Sequence, residues 1–534
     1  MRPLFEGPGS NRSQPRNHEP CCAMKKRPLF HPFRYPANHL PFEGLRRFLA
    51  PPPLALLCIL AFGCALRAEQ LLWNRSLWLD EAFLALAIVE RPLSTLLALP
   101  LPYGQTPPPL FLILVKIFSD VAGTSEMALR ALPFASACLT LGLWPLLARR
   151  HSRAGLLAGA FLLAVSYGGV YYAAEFKPYA TEALLSVFFL LAAMRFLEGE
   201  PLRHPAGWAA LFLLAPWLGF PTVFLLAGLA GGLLAAQGTA PKRLGPAWAL
   251  LAVGGLSFLA MYGVYARPAS ATQLRAGYWE AFAAPLPTSL SAFVWYGERA
   301  SQVLCHFFGL QEPWQGAVLA GLAAIGAMAV LRRDRAYGLV LTLPIAAAVL
   351  LSMTGRFPLH ERLLIFTLPL CCLLLAEGLV SLGTLFGRVR PALKWLPAAA
   401  VLALLVRPTA AAVFDPGTFE RQEFRKIGQQ ILQARADGDA VFVFQAAVPL
   451  LEYYGRQDPR LTGFTPLSVT RGDPSSLDEA VRTVKAAGHG WVLFAHVRQR
   501  EERLLEAAFE DGGAVRQRLA AKGVWAFAFD VKRP

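Results

Sequence analysis

The chain has 534 residues, of which 55% are hydrophobic and only 16% are charged, and its mean hydropathy is +0.42. This composition excludes a string of soluble domains and indicates an integral membrane protein. The net charge of +16 comes from Lys and Arg in short loops between apolar runs, not from one basic stripe. Nucleic-acid binding is therefore not expected.

Residues 1–48 are polar, rich in Pro and Arg, and end in Arg46-Arg47 directly before an apolar run. We expect a disordered cytoplasmic tail, and a start at Met24 is an alternative to Met1. The apolar run lacks a convincing signal-peptide cleavage pattern, so it is expected to stay as the first membrane helix.

The apolar runs predict an α-helical polytopic membrane domain at 49–409, because each spanning helix needs about twenty apolar residues. We expect about 11 transmembrane helices. Their approximate positions are 49–67, 129–148, 154–173, 179–196, 206–218, 220–237, 244–266, 314–331, 336–353, 361–383 and 391–409.

The orientation follows from the positive-inside rule. With the tail inside, the inner loops are all basic: 149–153, Arg195 to His204, Lys242-Arg243, 332–335, and Arg388 to Lys394. This assignment of inner and outer loops requires that residues 107–122 do not cross the membrane. Its short apolar core and central Lys116 favour an interfacial helix on the outer face. The first outer loop is then 68–128.

An odd number of spans places residues 410–534 outside. Strand-like DAVFVFQ (439–445), GWVLFAHV (490–497) and VWAFAFDV (524–531) alternate with helical stretches. They predict a small extracytoplasmic α/β domain with a substrate-contacting or packing role.

An acidic pair, Asp80-Glu81, follows the first apolar run. Two adjacent carboxylates near a bilayer are costly and require a chemical reason. A structural interpretation is that Asp80 caps a helix beginning at Ala82 and Glu81 favours its first turn. A functional interpretation is that one carboxylate is a general base that activates an attacking hydroxyl.

Two further polar groups fall on the outer side. The segment 171–179 (YYAAEFKPY) is either an interfacial anchor with a snorkelling Lys177 or a phosphate site in which Glu175 orients Lys177. The segment 355–362 (GRFPLHER) places two arginines where they can grip a phosphate, although pairing with Glu361 is the plainer explanation.

Cations on the outer side run against the positive-inside bias, so we expect them to bind an anion. The candidate phosphate-binding residues are Lys177, Arg356, Arg362 and Arg130. The candidate substrate-binding residues are Gln105, Glu175, Tyr179, His360 and Glu361. A carboxylate beside such cations fits transfer of a sugar from a lipid-linked phosphate, with the cations stabilising the departing phosphate. A transporter or flippase and a noncatalytic binder of lipid-linked sugars are the alternatives.

The ordered blocks SLWLDEAFLALAIVER, YGQTPPPLFLILVKIF, SEMALRALPF, YYAAEFKPYATEALL and GRFPLHERLLIFTLPL lie between about residues 50 and 385. This set resembles bacterial family 39 glycosyltransferases of the GT-C class. The class includes relatives of dolichyl-phosphate-mannose protein mannosyltransferases and lipopolysaccharide-modifying sugar transferases.

The resemblance implies a bacterial inner-membrane enzyme with a polyprenyl-phosphate sugar donor, usually with inversion at the anomeric carbon. The acceptor would be an envelope glycan, a lipid or a protein hydroxyl. The family's acidic motif corresponds to Asp80 and Glu81, with Asp80 as the base. Many relatives have Arg where this chain has Lys177. Some enzymes of the class bind a divalent metal near the acidic motif, but the resemblance assigns no cofactor and no metal ligands to this chain.

Overall fold

The computed structural model describes residues 53–237, 244–269, 279–469, 474–497 and 514–531. The predicted tail 1–48 and the loop cations Lys242 and Arg243 lie outside these ranges.

Helices dominate the described part of the chain. In order they are α1 (Leu54–Trp73), α2 (Leu79–Glu90), α3 (Pro109–Ala122), α4 (Glu126–Gly142), α5 (Arg153–Val165), α6 (Tyr167–Tyr171), α7 (Tyr179–Leu197), α8 (Pro205–Leu218), α9 (Thr222–Ala236), α10 (Gly245–Met261), α11 (Leu290–Phe308), α12 (Pro313–Arg333), α13 (Arg335–Ser352), α14 (Leu368–Val389), α15 (Leu396–Phe414), α16 (Phe424–Ala434), α17 (Val448–Gln457) and α18 (Pro474–Ala487).

The protein is a multi-pass α-helical membrane protein. Among the described residues, eight helices are long and apolar enough to span a membrane, and the bent pair α5 and α6 adds a ninth. The two shorter apolar helices α8 and α9 occupy the remaining predicted spans. The 14 residues of α8 cover about 21 Å of a roughly 30 Å hydrocarbon core. The count of about 11 therefore stays a prediction.

The span formed by α5 and α6 bends by 56° at Ser166. A break in a helix leaves carbonyl groups without partners, and these groups are costly in an apolar environment. Arg67 of α1, 1% exposed, donates to the carbonyls of Leu163 and Ala164, at 3.0 Å each. This buried arginine stabilises the bend and so positions the tyrosines that follow it.

Three loops that were predicted to share the inner face do meet. Arg150 donates a hydrogen bond to Glu198 at 3.0 Å and also pairs with Asp334. One side chain thus joins the loops after α4, α7 and α12. The predicted non-crossing helix α3 is absent from the candidate spans, and its Lys116 donates to the carbonyl of Ile88 at 3.1 Å.

The C-terminal region contains the expected α/β unit. Its strands are β1 (Ala440–Phe444), β2 (Thr465–Leu467), β3 (His489–Ala495), β4 (Ala514–Ala521) and β5 (Val524–Asp530). They form a sheet in the order β2-β1-β3-β5-β4, in which β1 runs parallel to β2 and β3, and β5 runs antiparallel to β3 and β4. The apolar residues of β1, β3 and β5 build its core.

This unit packs against the first predicted outer loop. Glu423 accepts from the hydroxyl of Ser76 at 2.9 Å, and Tyr454 accepts from the backbone N–H of Leu77 at 2.7 Å. The contacts agree with a register in which both segments lie on one side. Helix α11 was not predicted, because charged residues such as Glu298 and Arg299 interrupt its apolar pattern.

Cysteine labelling tests the orientation. In a variant without the native cysteines, Lys485→Cys should react with a membrane-impermeant maleimide added to intact cells, whereas Arg335→Cys should react only after lysis. Both positions are exposed. The opposite pattern would invert the register.

Candidate active site

A cavity of about 1020 Å³ lies where the predicted outer ends of the helices meet the C-terminal unit. One wall is apolar and includes Phe224 of α9 and Leu259 of α10. The other wall is polar and includes eight of the residues that the sequence singled out. These eight are Asp80, Gln105, Lys177, Tyr179, Arg356, His360, Glu361 and Arg362.

Asp80 lies in the first turn of α2 and faces the cavity. Its Oδ2 atom accepts a hydrogen bond from Nη1 of Arg362 at 2.6 Å. Burial alone would raise the pKa of Asp80, but the positive charges of Lys177 and Arg362 outweigh burial and lower this pKa below its ordinary value. Asp80 is therefore an ionised carboxylate that pairs with Arg362 and is further stabilised by the charge of Lys177.

Glu81 lies behind the cavity and is fully buried. It pairs with Arg130 at 2.8 Å and accepts from the backbone N–H groups of Trp78, at 3.3 Å, and Phe176, at 2.6 Å. Burial would raise the pKa of Glu81, but Arg130 outweighs burial and lowers it. These contacts do not fit the expected catalytic role of Glu81, because its oxygens are used to hold the backbone. Glu81 also takes the capping function that was expected of Asp80, since it bonds the N-cap residue Trp78.

Arg130 does not fit the expected phosphate role, for the same reason. The guanidinium of Arg130 donates to Glu81 and also to the carbonyl of Arg75, at 2.8 Å. Arg130 is 0% exposed. No part of it lines the cavity. Arg130 and Glu81 form one buried ion pair that fixes the turn before Asp80.

Lys177 and Glu175 have separate tasks. Nζ of Lys177 donates to Oε1 of Gln105 at 2.8 Å and lines the cavity. Glu175 is buried, and its Oε1 accepts from the indole N–H of Trp78 at 3.0 Å. The expectation that Glu175 contacts the substrate and orients Lys177 is therefore not met, because Glu175 orients Trp78 instead. Burial raises the pKa of Glu175.

The loop before α14 supplies the remaining expected groups. Arg356 is exposed at the cavity, while Arg362 reaches Asp80. Glu361 does pair with an arginine, but the partner is Arg299 of α11, at 3.2 Å. Burial, followed by the charge of Arg362, lowers the pKa of His360 to about 3, so His360 is neutral at pH 7.

Tyr179 lies at the start of α7 and faces the cavity as expected. Its ring packs edge-on against that of Tyr172, with 5.1 Å between centroids. The hydroxyl of Tyr172 bonds His306 at 2.8 Å. Burial lowers the pKa of His306 to about 4.

The sequence did not identify the contributions of α11 and the C-terminal unit to the cavity. His306 comes from α11, and Arg421 and His496 come from the C-terminal region. Gln422 bonds His496 at 2.9 Å and accepts from the backbone N–H of Leu79 at 2.8 Å. The sequence contained one weak indication of the C-terminal contribution, since Arg421 is a cation on the predicted outer side.

The residues around Asp80 do not fit a divalent metal of the kind that some enzymes of the class bind. Among the described residues, no group of three His, Cys, Asp or Glu side chains is arranged to hold a metal ion. The carboxylate of Asp80 interacts with Arg362 and Lys177, and the carboxylate of Glu81 forms an ion pair with Arg130. No step below is assigned to a metal.

No protein-family model and no curated protein sequence matches the chain. Among solved structures, ArnT from Cupriavidus metallidurans bound to undecaprenyl phosphate is similar, with 13% identity, a TM-score of 0.48, and coverage of 88% of this chain and 97% of that one. The archaeal oligosaccharyltransferase AglB from Archaeoglobus fulgidus, in complex with an inhibitory peptide and a dolichol-phosphate, has 11% identity and a TM-score of 0.44, covering 88% of this chain and 74% of that one. Because these TM-scores are below 0.5, the function proposed below rests on the geometry of the cavity.

The two neighbouring carboxylates should respond differently to neutralisation. Glu81→Gln breaks a buried ion pair and should destabilise the protein by roughly 3–5 kcal/mol, measured by thermal or denaturant unfolding in detergent. Asp80→Asn is the matched control and should change stability much less, because Asp80 faces the cavity. A Glu81→Gln protein that is as stable as wild type but inactive would give Glu81 a direct chemical role.

Proposed function

We propose that this protein is a membrane glycosyltransferase. It transfers a sugar from a polyprenyl-phosphate donor to a hydroxyl of an envelope glycan, a lipid or a protein, on the extracytoplasmic face of the bacterial inner membrane. The observation that supports this most is that one cavity combines an apolar wall, several cations and a carboxylate. A lipid-linked sugar phosphate needs each of these surfaces.

The apolar wall suits the lipid part of the donor. It includes residues of α9, of α10 and of the turn that follows α10, where Leu259 is 64% exposed and Tyr262 is 41% exposed. Such side chains contact hydrocarbon when their helix spans a bilayer. A polyprenyl chain can therefore lie along this wall while its phosphate reaches the polar side.

Arg362 and Lys177 are placed to bind the donor phosphate. Both line the cavity, and both act electrostatically on Asp80. Hydrogen bonds from ionised donors to phosphate are short and strong. In the transfer step, negative charge grows on the departing phosphate, so the same cations stabilise the transition state.

Asp80 is the general base in this proposal. The acceptor oxygen attacks the anomeric carbon, the bond from that carbon to the phosphate oxygen breaks, and Asp80 takes the hydroxyl proton. The products are the glycosylated acceptor and polyprenyl phosphate. Attack on the face opposite the phosphate inverts the anomeric carbon.

The low pKa of Asp80 limits its basicity before the donor binds. A bound phosphate partly neutralises Lys177 and Arg362, which are the charges that lower this pKa. It also competes with Asp80 for the guanidinium of Arg362. Both effects raise the pKa of Asp80 toward the range in which a carboxylate is a better base. Donor binding therefore activates the base.

Asp80→Asn should abolish most transfer without preventing donor binding. The amide keeps the size of the side chain but cannot accept the proton, so turnover should fall by roughly two orders of magnitude or more. Purified protein is assayed with a radiolabelled polyprenyl-phosphate sugar, and donor binding is measured separately. Asp120→Asn is the matched control, since Asp120 is an exposed acid on α3 that pairs with Lys116. Near-normal turnover in Asp80→Asn would exclude Asp80 as the base, whereas donor binding without any transfer by the wild-type protein would favour lipid transport over transfer.

Lys177→Met should shift the pH dependence of transfer. The base must be ionised, so kcat/KM falls on the acidic side as Asp80 becomes protonated. Removing the Lys177 charge raises the pKa of Asp80, and the acidic limb of the kcat/KM profile should therefore move to higher pH. A limb that stays in place while only KM increases would show that Lys177 acts on the donor but not on Asp80.

A further inference from the structure

Arg421 lies in the cavity on the segment that joins α15 to the C-terminal unit. The carbon at the centre of its guanidinium is 4.5 Å from the ring centroid of Trp78 and 4.9 Å from that of Tyr171. Stacking on aromatic rings uses the faces of a guanidinium and leaves its N–H edge for hydrogen bonds. Arg421 is therefore oriented before any ligand binds.

The charge of Arg421 lacks the compensation that its neighbours have. Arg362 pairs with Asp80, and Arg299 pairs with Glu361. Within the described ranges, Arg421 forms no ion pair with a carboxylate closer than 4.0 Å. The nearby Glu175 acts on it electrostatically, but that carboxylate bonds Trp78 and its pKa is raised by burial. A positive guanidinium in a cavity is thus available to an anion.

The backbone around Arg421 is fixed in place. The N–H of Glu423 donates to the carbonyl of Lys522 at 3.0 Å. Gly523 has φ +63, and a Cβ atom there would lie 2.0 Å from the carbonyl oxygen of Arg421. Only glycine permits this approach without a shift. The turn between β4 and β5 therefore holds Arg421 at the cavity.

We propose that Arg421 binds an anionic group, a phosphate or a carboxylate, on the acceptor. This inference rests on the proposed function and deepens it, because it makes the acceptor an anionic molecule. The donor phosphate uses Arg362 and Lys177 beside Asp80. The acceptor hydroxyl must also reach Asp80, and Arg421 is the rigidly held cation left in the same cavity. Arg356 and Arg421 are both exposed, but the Arg421 guanidinium lies over the rings of Trp78 and Tyr171, and its backbone is held against Gly523.

The test uses full-length protein in detergent, saturated with undecaprenyl phosphate. Glycerol 3-phosphate and glycerate serve as small hydroxylated anions, glycerol is the neutral control, and binding is followed by microscale thermophoresis. Wild type should bind at least one of the anions saturably and should not bind glycerol. Arg421→Gln should weaken that binding at least tenfold, whereas Arg421→Lys should lose less.

Arg435→Gln is the matched control, because Arg435 is an exposed arginine of the C-terminal unit outside the cavity, and it should bind like wild type. Equal anion binding in Arg421→Gln and wild type, or no saturable binding in wild type, would overturn the inference. Failure of the Arg421→Gln variant to bind undecaprenyl phosphate would also overturn the inference, since Arg421 would then bind the donor. A wild-type protein that binds the anions but not undecaprenyl phosphate would instead refute the proposed function.

Discussion

The buried ion pair between Glu81 and Arg130 is the interaction on which the rest of the site depends. Its carboxylate holds the N–H groups of Trp78 and Phe176, and its guanidinium holds the carbonyls of Arg75 and Ser76. Two segments almost a hundred residues apart in the chain are thereby joined. A buried pair is costly to desolvate and gives little net stability, so its value here is geometric. It sets the turn from which Asp80 projects.

The C-terminal unit completes that turn from the other side. The N–H groups of Ser76, Leu77 and Leu79 all donate to its side chains, namely those of Glu423, Tyr454 and Gln422. The beginning of α2 therefore has its backbone donors satisfied by a distant part of the sequence. Because Gln422 lies next to Arg421, the contact that supports Asp80 also places Arg421 in the cavity. The C-terminal unit is part of the site as well as a packing partner.

Local patterns predicted the membrane helices and the strands β1, β3 and β5, because a long apolar run or a short β-branched and aromatic run is read within one segment. They did not predict β2 and β4. They also placed Asp80, Lys177 and Arg362 together, because the charge register assigned these residues to one side. Local patterns could not predict which charged side chains pair with each other. Whether Glu361 pairs with Arg299 or with a neighbouring arginine depends on where the unpredicted helix α11 packs, and the burial of Glu81 depends on Arg130 entering from α4.

Asp80 and Glu81 are adjacent acids whose surroundings give them different chemistry. Glu81 is enclosed by the protein, and its charge is matched by the buried Arg130, which lowers the pKa of Glu81. The cations that act on Asp80 also line the cavity, so any anion that enters competes with Asp80 for them. Before an anion binds, the excess positive charge of the cavity attracts phosphate and keeps Asp80 ionised. Once an anion is bound, the cavity has less positive charge and Asp80 is more basic. In the proposed transfer reaction, the cations that recruit the donor therefore also delay the base until the donor is present.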